Sequence, residues 1–95
     1  MKKHIVVLAN SVKHDPGRCI AGREIVPTGE SGAWVRPVSL IGEGELQPAH
    51  YRLEGGGTPQ VFDVIEISVE TLPKADPTQP ENWLISVEAP WKRIG

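Results

Sequence analysis

Nine prolines and ten glycines are spread along the 95 residues so evenly that almost no uninterrupted stretch can hold a three-turn amphipathic helix. Proline inside a helix removes a hydrogen bond and clashes with the preceding turn, and each interior glycine costs about 1 kcal/mol relative to alanine. What lies between these breakers is short, apolar and rich in β-branched side chains, so the sequence predicts an all-β domain.

Five strands are legible. HIVVLAN, residues 4–10, is a continuous apolar run, the pattern of a strand buried on both faces or closed into a barrel. GRCIAGREIV, residues 17–26, puts Cys19, Ala21, Arg23 and Ile25 on one face and Arg18, Ile20 and Glu24 on the other, with Gly22 marking a bulge or sharp bend. GAWVRPVS, residues 32–39, sets Trp34 and Arg36 on one face against Ala33 and Val35, and Pro37 ends its ladder or places it at an edge. The preceding PTGES has the composition of a hairpin connection. VFDVIEISVETL, residues 61–72, alternates most cleanly, with Val61, Asp63, Ile65, Ile67 and Val69 on one side. NWLISVE, residues 82–88, is the last strand, and WKRIG extends it or packs against it. The polar stretch IGEGELQPAHYRLEGGGTPQ between the third and fourth strands is mostly loop, with at most one short helical turn near GELQ.

Five strands with a long connection after the third form the layout of a small five-stranded OB-like Greek-key barrel, a single domain over residues 1–95. A PUA-like or SH3-like barrel has nearly the same string. Such a domain buries only about 60–65% of its unfolded surface, so its core is thin and its function sits on a surface or a shallow cleft.

The ordered segments LANSVKHDPGRCIAGREI, GAWVRPVS, GEL, VFDVIEI and QPENWLI followed by Trp91 resemble the first half of the dual OB-containing domain family of prokaryotic proteins. The resemblance spans nearly the whole chain. It implies two OB barrels and, by fold analogy, nucleic-acid or nucleotide binding, often in the conflict between phages and their hosts. Here there is length for one barrel only. The chain is then either a fragment or a single-barrel relative that pairs with itself.

Charge narrows the partner. A net charge of −2 is the wrong sign for a non-specific grip on long DNA or RNA, which relies on neutralising many phosphates. A phosphate-bearing ligand must be met by a local cluster, and residues 10–23 contain one. Asn10 and Ser11 leave the end of the first strand, Asp15, Pro16 and Gly17 turn the chain, and Lys13, His14, Arg18 and Arg23 surround the turn. Arginine supplies a bidentate fork, lysine a point charge, and serine and asparagine hydrogen bonds. Turn chemistry alone explains Asp15, Pro16 and Gly17, but not the group around them. Trp34 and Arg36, with Arg23 from the adjacent strand and Trp83 at the start of the last one, offer a face for stacking a base beside cations, each stack being worth about 1–3 kcal/mol. Core packing is the competing reading for a tryptophan in a domain this small, and it weighs more for Trp91 than for Trp34.

No cofactor or metal is expected: His4, His14, Cys19 and His50 lack any paired ligand spacing. Cys19 reads as a small packing residue, and Glu66 and Glu70 as part of a solvated face. No 18-residue apolar window exists, and IVVLA is too short for a signal peptide, so no membrane partner and a cytoplasmic location are expected. The sequence therefore points to a non-catalytic binding module for a nucleotide, a cyclic or short oligonucleotide, or a nucleic-acid end, able to sequester a nucleotide signal. Asn10, Ser11, Lys13, His14, Arg18, Arg23, Trp34 and Arg36 are the candidate ligand residues. A protein-interaction module, possible as a homo-oligomer, is the alternative, and a small hydrolase or nuclease using His14 and Asp63 the second alternative.

Overall fold

The computed structural model describes residues 2–12, 17–26, 28, 31–39, 44–70, 81–86 and 89–95. Its elements are β1 (Lys2–Val12), β2 (Arg18–Ile25), β3 (Ser31–Val38), α1 (Pro48–Tyr51), β4 (Val64–Ser68), β5 (Asn82–Leu84) and β6 (Lys92–Arg93). They form one sheet in the order β5-β3-β2-β1-β4-β6, an OB-like all-β fold whose one helix among the described residues is a single turn.

The sheet closes on itself. β5 runs parallel to β3, with Arg36 opposite Asn82 and Val38 opposite Leu84. Past Leu84 the same segment meets the end of β4: Val69 bridges Ile85, the Glu70 N–H donates to the Leu84 carbonyl at 2.8 Å, and the Ser86 N–H donates to the Ser68 carbonyl at 3.0 Å. β4 pairs antiparallel with β1 on its other side, so five strands circle one interior. Closure removes most of the exposed sheet edge that would otherwise invite pairing with other chains, leaving residues 9–12 of β1 beyond the end of β4. The chain then rejoins β4 as β6, with Lys92 opposite Glu66 and Arg93 opposite Ile65.

The interior is filled by alternate strand residues, Ile5 and Val7 from β1, Ile20 from β2, Val35 from β3, and Ile65, Ile67 and Val69 from β4 and its extension. Leu46, Tyr51 and Leu53 from the connection, with Trp91, complete the same core. Burying each such side chain contributes about 1.5–3 kcal/mol. The apolar run in β1 is therefore sunk on one face only, since Val6 and Leu8 stay half-exposed. The bend anticipated at Gly22 is present. The β1–β2 register shifts between Val7 and Ala9, leaving Leu8 as an extra residue opposite the Gly22 and Ala21 step.

The one short helical turn expected near GELQ is present directly after it, capped by Gln47 and starting at Pro48, because proline is well tolerated at the first helical position, where its missing N–H would be unsatisfied anyway. Two local expectations are corrected. The fourth strand begins at Val64, since Phe62 has φ of 76° and residues 61–62 form a turn closed by Asp63 N–H donating to the Gln60 carbonyl at 2.9 Å. The third strand continues through Pro37. Pairing with β2 reaches only Val35, while Arg36 N–H and the Val38 carbonyl carry the bonds to the β5 segment, so nothing asks Pro37 for a donor.

Candidate functional site

Residues directly opposite in an antiparallel pair project to the same side of the sheet. Gly22 faces Val35 toward the interior, so the next pair, Arg23 and Trp34, faces outward. Alternation puts Ala21 on β2 and Arg36 on β3 beside them. The outer face of β2 and β3 thus gathers an indole, two guanidinium groups and a small residue that leaves space between them.

Trp34 is 48% exposed, unusual for the largest side chain in a thin domain. The Arg23 guanidinium carbon lies 5.9 Å from the Trp34 ring centroid, a cation–π contact worth about 0.5–1 kcal/mol at an exposed site. Arg23 Nε donates to the Gly32 carbonyl at 3.0 Å, which fixes the guanidinium beside the ring. Among the described residues its two terminal nitrogens make no hydrogen bond and it pairs with no carboxylate. Arg36 follows two residues after Trp34, and its backbone N–H donates to the Glu81 carbonyl at 2.7 Å, bringing the residue before β5 against the same face. Ala21, Trp34, Val35, Arg36 and Glu81 line a cavity of about 300 Å³.

The other sequence candidates lie elsewhere. Asn10 is opposite Ile20 and Val12 opposite Arg18, so Asn10 and Arg18 share the inward side, beyond the end of the barrel. There Arg18 Nη1 donates to Asn10 Oδ1 at 3.1 Å, Asn10 Nδ2 donates to the Pro59 carbonyl at 2.7 Å, and the Arg18 backbone exchanges two 2.8 Å bonds with Leu46. The two side chains tie the β1–β2 hairpin to the long connection at one mouth of the barrel. Ser11 is exposed opposite Cys19 on the outer side, in the same row of faces as Ala21 but about 13 Å along β2 from Arg23 at roughly 3.3 Å per residue. Lys13 and His14 lie outside the described residues. The group read as one cluster is therefore divided by the strand alternation into an outer face, Arg23, Trp34 and Arg36, and a mouth, Asn10 and Arg18.

Trp83 does not join the outer face. It packs against the core, with Lys3 Nζ 4.4 Å from its ring centroid and also 3.1 Å from Glu24 Oε2. Trp91 is 1% exposed and belongs to the core. Asp63 and Glu66 are engaged separately, Asp63 by Arg93 at 3.0 Å and Glu66 by Lys2 at 3.2 Å. His50 Nδ1 accepts the Gln47 N–H at 2.9 Å at the start of α1. Among the described residues no three metal-ligating side chains come together, and no helix is long and apolar enough to cross a membrane. Sequence reasoning missed Glu81; only the parallel docking of β5 on β3 brings it to the cavity, and nothing in its local sequence signals that.

A family model described as "Dual OB-containing domain" matches residues 3–95. No curated protein and no solved structure matches.

Proposed function

Because the chain belongs to the dual OB-containing domain family, a framework generally used for binding, we propose that it binds a phosphate-bearing nucleotide ligand on the outer face of β2 and β3. The ligand is a nucleotide, a short or cyclic oligonucleotide, or a nucleic-acid end. The observation that carries this reading is the half-exposed Trp34 flanked by Arg23 and Arg36 over a cavity of about 300 Å³. That volume is at the small end of ligand sites, which run roughly 300–1,000 Å³. The face between the second and third strands, bordered by the β1–β2 and β4–β5 loops, is also the one OB barrels commonly offer to oligonucleotides and oligosaccharides. The two arginines favour an anionic ligand over a neutral sugar chain. A single pocket on an acidic domain suits short ligands better than the coating of long strands, and a binder of this kind would act by sequestering a nucleotide signal.

Calorimetry against mononucleotides, cyclic dinucleotides and short single-stranded oligonucleotides tests it. Binding by the natural protein that falls at least about tenfold in Trp34→Ala, the size of one lost stack, is the expected result; heat that is unchanged in Trp34→Ala and in Arg23→Ala would refute the site.

A second reading, self-association, has its own observation. Residues 9–12 of β1 pair with β2 on one side, while β4 stops at Val6 and Asp63 meets only Val7. Val12 at the tip of this edge is exposed, and Phe62, 75% exposed, bonds through its N–H to the Val7 carbonyl where the edge begins. Two copies can pair antiparallel through this edge. Light scattering then gives twice the monomer mass for the natural protein and the monomer for Val12→Lys; a monomer at all concentrations removes this reading.

A further inference from the structure

We propose that the cavity beside Trp34 selects guanine, with Glu81 as the residue that reads the base; this rests on the nucleotide reading of the same face. Glu81 is half-buried in the cavity wall, its position held by the 2.7 Å bond from Arg36 N–H to its carbonyl. Its carboxylate makes no hydrogen bond or ion pair among the described residues. The rest of the wall is the Trp34 ring, Ala21, Val35 and Arg36.

Two consequences follow from the chemistry of that lining. An acceptor-only carboxylate repels a phosphate, so the phosphate stays outside, toward the free terminal nitrogens of Arg23, and the base enters. Glu81 is half-buried beside an apolar wall, and a carboxylate there that meets no donor among the described residues is open to donors from a ligand. Guanine is the one common base with two adjacent donors, N1–H and the 2-amino group, spaced to meet both oxygens of a carboxylate. Adenine and cytosine offer an amino group next to an acceptor, and uracil and thymine a single N–H between two acceptors. Guanine also carries the O6 acceptor, which an arginine on the same wall can meet. Stacking on Trp34 is indifferent to base identity, so affinity comes from the ring and choice from Glu81.

Calorimetry with 5′-GMP, 5′-IMP, 5′-AMP, 5′-CMP and 5′-UMP separates the two claims. The expected order is GMP tightest, by about tenfold over AMP, with IMP between them because inosine lacks the 2-amino group. Glu81→Gln, nearly isosteric, is expected to bring GMP and AMP within about twofold of each other while Trp34→Ala weakens all nucleotides alike. Nucleotides that bind through Trp34 without preferring GMP over IMP and AMP overturn the guanine assignment and leave the nucleotide site standing. The natural protein alone supplies that comparison if Glu81→Gln fails to fold. Absence of binding to all five overturns the guanine assignment, and the nucleotide reading falls with it only if cyclic dinucleotides and short single strands are silent as well.

Discussion

At Gly22 the β1 and β2 backbones come too close for any side chain. A β-carbon there would lie 2.1 Å from the Val6 carbonyl oxygen and 2.9 Å from its carbon, both backbone atoms held by the β1–β2 and β1–β4 ladders. Neither can swing aside as a side-chain tip would. Gly22→Ala is therefore expected to destabilise the fold by about 3 kcal/mol or more, the upper end for overpacking, read as a lower denaturant midpoint; an unchanged midpoint would mean the strands are further apart than described. This glycine is legible in the sequence as an interruption of a strand pattern, and the structure supplies the reason, the tight crossing next to the Leu8 bulge. Gly55, Gly56 and Gly57 are legible as loop punctuation, and all three have positive φ, between 84° and 101°. Phe62 was not legible: an aromatic residue in a clean alternation gives no hint that its backbone turns left-handed and ends the strand pattern.

Elements were readable where one face is buried and the other wet. Ile65, Ile67 and Val69 are all sunk in the interior, as the alternation in the fourth strand requires, and Glu66 sits on the opposite side. There it meets Lys2 at 3.2 Å and His4 at 3.4 Å across the β1–β4 pair. The hydrogen bond from Lys2, more than the attraction of the two charges or the His4 contact, holds the Glu66 carboxyl below the ordinary glutamate range. A carboxyl whose value is depressed by folding adds stability above its unfolded value and loses it as pH falls through the folded one. The pair is exposed and screened by salt, so the contribution is small. The natural protein is expected to melt slightly above Glu66→Gln at neutral pH, with the difference shrinking to nothing as pH falls from the ordinary glutamate range through the lowered value of the folded protein; a difference that grows on acidification would contradict the assignment. The candidate site was half legible at this scale. Trp34 and Arg36 share a face because strand alternation demands it, and Arg23 joins them across one rung. Asn10 and Arg18 looked like their neighbours in sequence, yet they occupy the other side of the same alternation and close the barrel mouth.

For the whole molecule, the all-β class followed from the spacing of breakers, but closure did not. The parallel pairing of β3 with β5 joins residues some 46 positions apart, Arg36 with Asn82, and short strands carry no local mark of their partner. That pairing is also what brings Glu81 to Trp34 and turns an outer sheet face into a cavity. Its consequence is that the three tryptophans occupy three distinct environments: Trp34 half-exposed beside two arginines, Trp83 against the core under Lys3, and Trp91 buried. They serve as built-in reporters of where a ligand sits. The most direct measurement is the indole Nε1–H resonances followed by NMR as 5′-GMP is added. The predicted result is a progressive, saturating shift of the Trp34 signal with Trp91 stationary; a shift of Trp83 or Trp91 while Trp34 stays fixed, or no shift with this nucleotide or with a short single strand, would contradict the binding face proposed for this protein.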